Sequence, residues 1–201
     1  MVLRLIKSIN PEKNNSPMHA SPDTFAQVRV LIVPGLYGSG KGHWQTRWQD
    51  LYPEFVWVAQ ERADLPDLDA WSARLDQVLQ ESDQATLIAA HSFGCLATVH
   101  RASLGAPNVI GALLVAPAAP TRFGLQDRLQ NIVLPMPSIM LASRNDPWMN
   151  FSQAKNLASN WQAEFIDLGL LGHINADSGL GDWPFGLSQL QRLAALSTCQ
   201  A

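Results

Sequence analysis

Short apolar runs rich in β-branched residues recur along the chain at 28–33, 55–59, 85–90, 109–116, 138–143 and 164–168, alternating with stretches of helical spacing. Runs such as TLIAA and GALLVA are apolar at every position, the pattern of strands covered on both faces of a parallel sheet. Between the second and third runs, Leu68, Trp71, Leu75, Val78 and Leu79 share one helical face, and Asp67 stands where it can cap the helix start. Trp44, Trp48 and Leu51 form a similar stripe after the first run, and Leu187, Leu190, Leu193 and Ala194 form another near the carboxyl end. Asn150 with Gln153 resembles a capping box ahead of a helix through Leu157. The alternation predicts right-handed crossovers and a doubly wound, mainly parallel six-stranded α/β sheet with helices on both faces. No internal repeat is present.

Residues 1–27 fall outside this alternation. Their Pro-, Asn- and Ser-rich stretch at 10–23 lacks periodicity and is expected to be a disordered arm, leaving 28–201 as one domain. The chain has 201 residues, enough for a single substantial core. It carries 14 basic and 17 acidic side chains, with the basic ones scattered, which argues against nucleic acid as a partner. No apolar run is long enough for a membrane span, and Met1–Ile6, interrupted by Arg4, is too short for a signal peptide core. Cys95 and Cys199 have neither metal-ligand spacing nor the density of a disulfide scaffold. Cys95 reads as a packed thiol and Cys199 as a tail residue. A cytoplasmic location is the expectation.

In a doubly wound sheet the loops leaving the carboxyl ends of the strands converge on one crevice. Here those loops begin at Pro34, His91, Pro117, Arg144 and Gly169. The third run ends in Ala90-His91-Ser92-Phe93-Gly94, a G-x-S-x-G nucleophile elbow with Ala at the first small position. Small residues flank the serine because the strand turns sharply into a helix, whose free N–H groups point at developing negative charge. A serine needs a base and an orienting acid, in the order Ser, Asp, His for this arrangement. Asp146, in the Pro-terminated turn after the fifth run, and His173, in the Gly-rich loop after the sixth, supply them. Read singly, Asp146 is also an ordinary turn residue and His173 an ordinary surface histidine. Of the other histidines, His19 lies in the arm, His100 too far along the helix, and His91 points away from the serine.

The loop Pro34-Gly35-Leu36-Tyr37-Gly38-Ser39-Gly40 is expected to give the backbone N–H of Leu36 to an oxyanion hole, beside that of Phe93. His43, just beyond, is either a supporting residue of the site or a packed ring. The same stretch nearly matches a phosphate-binding G-x-x-x-x-G-K-[ST] loop, but Gly42 has no hydroxyl to hold the magnesium ion. Trp148 and Trp183 adjoin the acid and histidine loops, where they would line an apolar acyl pocket unless they pack in the core.

The PGLYGSGKGHW, AHSFG, ASRNDPW and GHINADSGLGDWPFG segments together resemble the small serine hydrolases that include the retinoblastoma-binding hydrolase and its bacterial relatives. The resemblance runs from about Val28 to the end. It implies a compact α/β-hydrolase fold without a large lid, since only about twenty residues, from Pro117 to Pro137, separate the fourth and fifth runs. It assigns Ser92, Asp146 and His173 the catalytic roles, and Ala90 is a mild departure from its elbow. The implied reaction is hydrolysis of a small-molecule acyl substrate, carboxylesterase-like, with no metal or cofactor. The alternative is a binding module that keeps the fold without turnover.

Overall fold

A computed structural model describes residues 25–198. All six expected strands form, as β1 (Arg29–Val33), β2 (Val56–Trp57), β3 (Thr86–His91), β4 (Val109–Val115), β5 (Ser138–Ala142) and β6 (Glu164–Asp167). They lie in one wholly parallel sheet in the order β2-β1-β3-β4-β5-β6. The helices are α1 (Trp44–Leu51), α2 (Leu68–Gln80), α3 (Phe93–Ser103), α4 (Gln126–Leu129), α5 (Phe151–Trp161) and α6 (Pro184–Thr198).

Strand side chains alternate between two separate cores. Leu31, Val33, Ile88, Ala90, Leu114 and Met140 meet α2, α3, α4 and α5 on one face. Val30, Ile32, Leu87, Ala89, Leu113 and Leu141 meet α1 and α6 on the other. Burial on both faces is why these strands read as continuous apolar runs. Asp67 caps α2 as expected, its carboxylate accepting from Ala70 N–H. Asn150 Oδ1 caps α5 by accepting from Ser152 and Gln153 N–H, a cap made from the asparagine side alone.

Two local expectations shift. The arm expected over 1–27 lies outside the described residues as far as 24, but Phe25 is buried, with its ring edge-on to Tyr52 and Phe55. The fold thus begins at least three residues before the sequence boundary, because one aromatic ring anchors the chain beside β1. Leu51, the last residue of α1, is half exposed, whereas Trp44 and Trp48 of the same stripe are fully buried. Cys95 is a buried free thiol, as expected, and Cys199 lies outside the described residues.

The connection between β4 and β5 holds a short turn of helix (Pro120–Phe123) and α4, and its Leu125, Leu129, Leu134 and Met136 belong to the core under α3 and α5. It is a packed segment of the domain and not a lid. No helix among the described residues is long and apolar enough to cross a membrane.

Candidate active site

The elbow is built by a close approach of backbones. Ser92 is held at φ +52° and ψ −120°, a region that non-glycine residues rarely occupy, as β3 passes directly into α3. Gly94 allows it: a Cβ there would lie 2.4 Å from Pro34 O and 2.6 Å from Val33 O, both backbone atoms of the β1 end. At the first small position Ala90 is accommodated, fully buried in the core under α3. Gly35 is equally constrained, since its Cβ would come within 2.8 Å of Ser92 Cβ. That contact brings the loop carrying Leu36 against the serine, and the first turn of α3 leaves Phe93 N–H without an intrahelical acceptor.

Ser92, His173 and Asp146 form one hydrogen-bonded chain. His173 Nε2 lies 2.9 Å from Ser92 Oγ, and His173 Nδ1 lies 3.0 and 2.9 Å from the two Asp146 carboxylate oxygens. The carboxylate accepts only, so Nδ1 carries the ring proton and Nε2 offers its lone pair to the serine hydroxyl. The Asp146 side chain is 3% exposed, and its Oδ1 also accepts from Trp148 N–H at 2.8 Å. Such an arrangement can transfer a proton from hydroxyl to imidazole and stabilise the imidazolium that results.

The loop that carries His173 is held from two sides. On the acid side, Leu171 N–H donates to Ser143 Oγ and Gly172 N–H to Asn145 Oδ1, at 2.9 and 2.8 Å. On the other, His91 Nε2 meets His173 O at 2.9 Å and Trp44 Nε1 donates to Ile174 O at 3.0 Å. Ile174 itself sits fully buried at φ +48°, an outlier for a β-branched residue.

His43 is buried and caps α1, its Nδ1 accepting from Gln45 N–H at 3.1 Å. Its ring meets that of His91 at a centroid distance of 4.7 Å, and the His91 ring lies 4.8 Å from that of His173. Burial, and then the neighbouring His173, lower the His43 pKa to about 4. Burial also pushes His91 well below the usual imidazole range, with His43 and His173 adding to the shift. Both rings are therefore neutral near pH 7. The alternation of β3 places His91 with Leu87 and Ala89 on the α1 and α6 face, away from the serine hydroxyl as the sequence indicates, yet in contact with the loop of His173.

Trp183 is not at the crevice. It is 5% exposed and packs between α1 and α6, stacked on Trp48 at 6.0 Å and tilted against Trp44 at 5.2 Å. The histidine loop runs back under the sheet before α6 begins, so an aromatic near that loop in sequence becomes core in space. Trp148 is half exposed, 6.2 Å from the His173 ring, with the Arg122 guanidinium 4.9 Å over its face. An open depression of about 500 Å³ adjoins His173, bounded among others by Pro147, Leu170 and Asn175. In the loop after β1, Lys41 is exposed, and Ser39 Oγ donates to Gln45 Oε1 at 2.6 Å, so its hydroxyl serves α1 and not a phosphate. Among the described residues no cluster of His, Cys, Asp or Glu is placed to hold a metal ion.

A family model described as serine hydrolase matches residues 30–192, from β1 into α6. The chain belongs to that family. The serine hydrolase is also similar to solved structures. A protein from Pectobacterium atrosepticum described as a YdeN-like hydrolase is 37% identical, with a TM-score of 0.83 over 87% of this chain and 94% of the other. The ydeN gene product of B. subtilis is 21% identical, with a TM-score of 0.70 over 83% and 98%. Est1E from Butyrivibrio proteoclasticus, at 12% identity and a TM-score of 0.62 over 86% and 88%, shares the fold. No curated protein matches the serine hydrolase.

Sequence reasoning missed Gln45, Trp44, Ser143 and Asn145 as builders of this site. Gln45 is wholly buried, and its amide donates to both Val33 O and Ala89 O at 3.1 Å, bracing the ends of β1 and β3 where the crevice opens. A polar residue within the apolar stripe of α1 is the signal that was there to be read.

Proposed function

We propose that this serine hydrolase cleaves a small ester or related acyl substrate through a covalent acyl-enzyme on Ser92. His173 takes the hydroxyl proton as Oγ attacks the acyl carbonyl, Asp146 holds the imidazole, and the proton passes to the departing alcohol. Water, activated by the same imidazole, then attacks the ester carbonyl, releasing the acid and regenerating Ser92. The oxyanion formed in each step accepts hydrogen bonds from Leu36 and Phe93 N–H. No cofactor or metal takes part.

The observation that carries this reading is the 2.9 Å contact between Ser92 Oγ and an imidazole whose other nitrogen is bound to a buried carboxylate. Trp148, with the exposed Leu170 and Tyr37, supports an apolar acyl group at the crevice mouth and carboxylesterase-like chemistry. A cytoplasmic setting fits the free buried thiol of Cys95.

Labelling with a fluorophosphonate probe tests the nucleophile. The wild-type protein is expected to be labelled and Ser92→Ala to be inert; persistent labelling of the variant refutes the assignment. A p-nitrophenyl ester series of increasing chain length then reads the acyl preference. Absence of both burst and turnover across the series would mark a binding module instead.

A further inference from the structure

The geometry points to His91 as a positioning residue: its ring N–H fixes the loop that presents His173 to Ser92. The inference rests on the proposed role of His173, and it concerns a side chain that touches neither the nucleophile nor the acid.

Position 91 could be filled by any residue that packs on the α1 and α6 face, where Leu87 and Ala89 precede it on the same strand. A histidine there does something an apolar ring cannot. Its Nε2 lies 2.9 Å from His173 O, and a carbonyl only accepts, so this nitrogen carries the proton. The bond fixes the base at its own backbone, whereas the contacts from Ser143 and Asn145 act two and one residues earlier.

The loop needs such restraint. Just after the base the chain enters φ +48° at Ile174, a conformation that persists only where surrounding contacts enforce it. The carbonyls on either side of that strained bond are those taken by ring N–H groups, His173 O by His91 and Ile174 O by Trp44. His91 is the last residue of β3 and directly precedes Ser92, so the bond ties base and nucleophile to the same piece of backbone. Without it the loop can relax, and His173 Nε2 drifts from the serine. A displacement near 1 Å at reacting groups costs about 10²-fold in rate.

The depressed basicity of both buried neighbours suits this task. A protonated His91 or His43 would set a positive charge beside the imidazolium that forms on His173 in each half-reaction, and burial keeps both neutral.

The test compares His91→Phe, which keeps a ring and removes the donor, with His91→Gln, whose amide nitrogen reaches about as far as Nε2. Kinetics use the p-nitrophenyl ester the wild-type enzyme turns over best, alongside the rate of fluorophosphonate labelling. His91→Phe is expected to lose about 10- to 100-fold in kcat and in labelling rate with KM little changed. His91→Gln is expected to recover to within a few-fold of wild type. The inference is overturned if a folded His91→Phe keeps kcat within two-fold, if the loss lies in KM, or if Gln fails to rescue. Should His91→Phe not fold, His91→Asn replaces it: its amide is one bond too short, so equal activity of Asn and Gln overturns the inference. A wild-type protein that neither labels nor turns over ester instead overturns the serine assignment, whatever the variants do.

Discussion

Gln45→Leu removes the brace between β1 and β3 while nearly preserving side-chain volume. In the native protein the amide makes three hydrogen bonds, to Val33 O, to Ala89 O and from Ser39 Oγ, all around a wholly buried side chain. Each is worth about 1 kcal/mol net, and a buried acceptor left without a donor costs about 1–3 kcal/mol. The carbonyls retain a second lone pair and Ser39 is near the surface, so the sum is tempered to a destabilisation of about 2–4 kcal/mol. For a chain of this size that is a fall in Tm of about 5–15 °C. Urea denaturation followed by circular dichroism measures it, with an unchanged m-value showing that the denatured state is unaffected. Gln45→Glu sharpens the test. Burial beside two carbonyls raises that carboxyl's folded pKa above its unfolded value, so the neutral acid is tolerated at low pH and stability falls as pH rises beyond about 4.3. A Leu variant within about 0.5 kcal/mol of wild type, or a Glu variant with no such pH trend, refutes the brace.

Gly94→Ala places a methyl group against two backbone oxygens at 2.4 and 2.6 Å, so α3 must move off the end of β1. A loss of at least about 2 kcal/mol in urea denaturation and a collapse of the proposed hydrolase activity are expected, and wild-type stability would contradict the close approach. His43, with a folded pKa of about 4 against 6.5 unfolded, binds a proton more readily in the unfolded chain. Its contribution is fully present above pH 6.5 and is lost as pH falls toward 4, a difference of about 3 kcal/mol. His43→Asn keeps a capping acceptor for α1 and should flatten the stability profile across that window; an unchanged profile would show that another group sets it.

The four inner strands were legible because burial on both faces leaves unbroken apolar runs, and Ser92, Asp146 and His173 stood out as candidates because each follows the carboxyl end of a strand. What stayed hidden depends on partners remote in sequence. His91 bonds a carbonyl 82 residues away, Trp44 one 130 away, and Gln45 one 44 away, and no local pattern encodes these pairings. Trp183 shows the same limit from the other side. A tryptophan beside a site loop has one sequence signature for pocket and core, and here the path of the chain into α6 decides for core, against Trp44 and Trp48. Phe25 extends the fold past its sequence boundary because a single ring, without periodicity, finds Tyr52 and Phe55.

The segment between β4 and β5 places most of its apolar residues in the core, with Leu129 fully buried and Val133 left exposed, and is packed as part of the domain and not poised over Ser92. An acyl group carried by the serine would therefore stay in contact with bulk solvent throughout its lifetime. Under the proposed acyl-enzyme mechanism, any alcohol or amine acceptor must then outcompete that water, and release as the free acid is the expected fate. Under the proposed mechanism, turnover is expected to follow acyl transfer to water and not the opening of a lid.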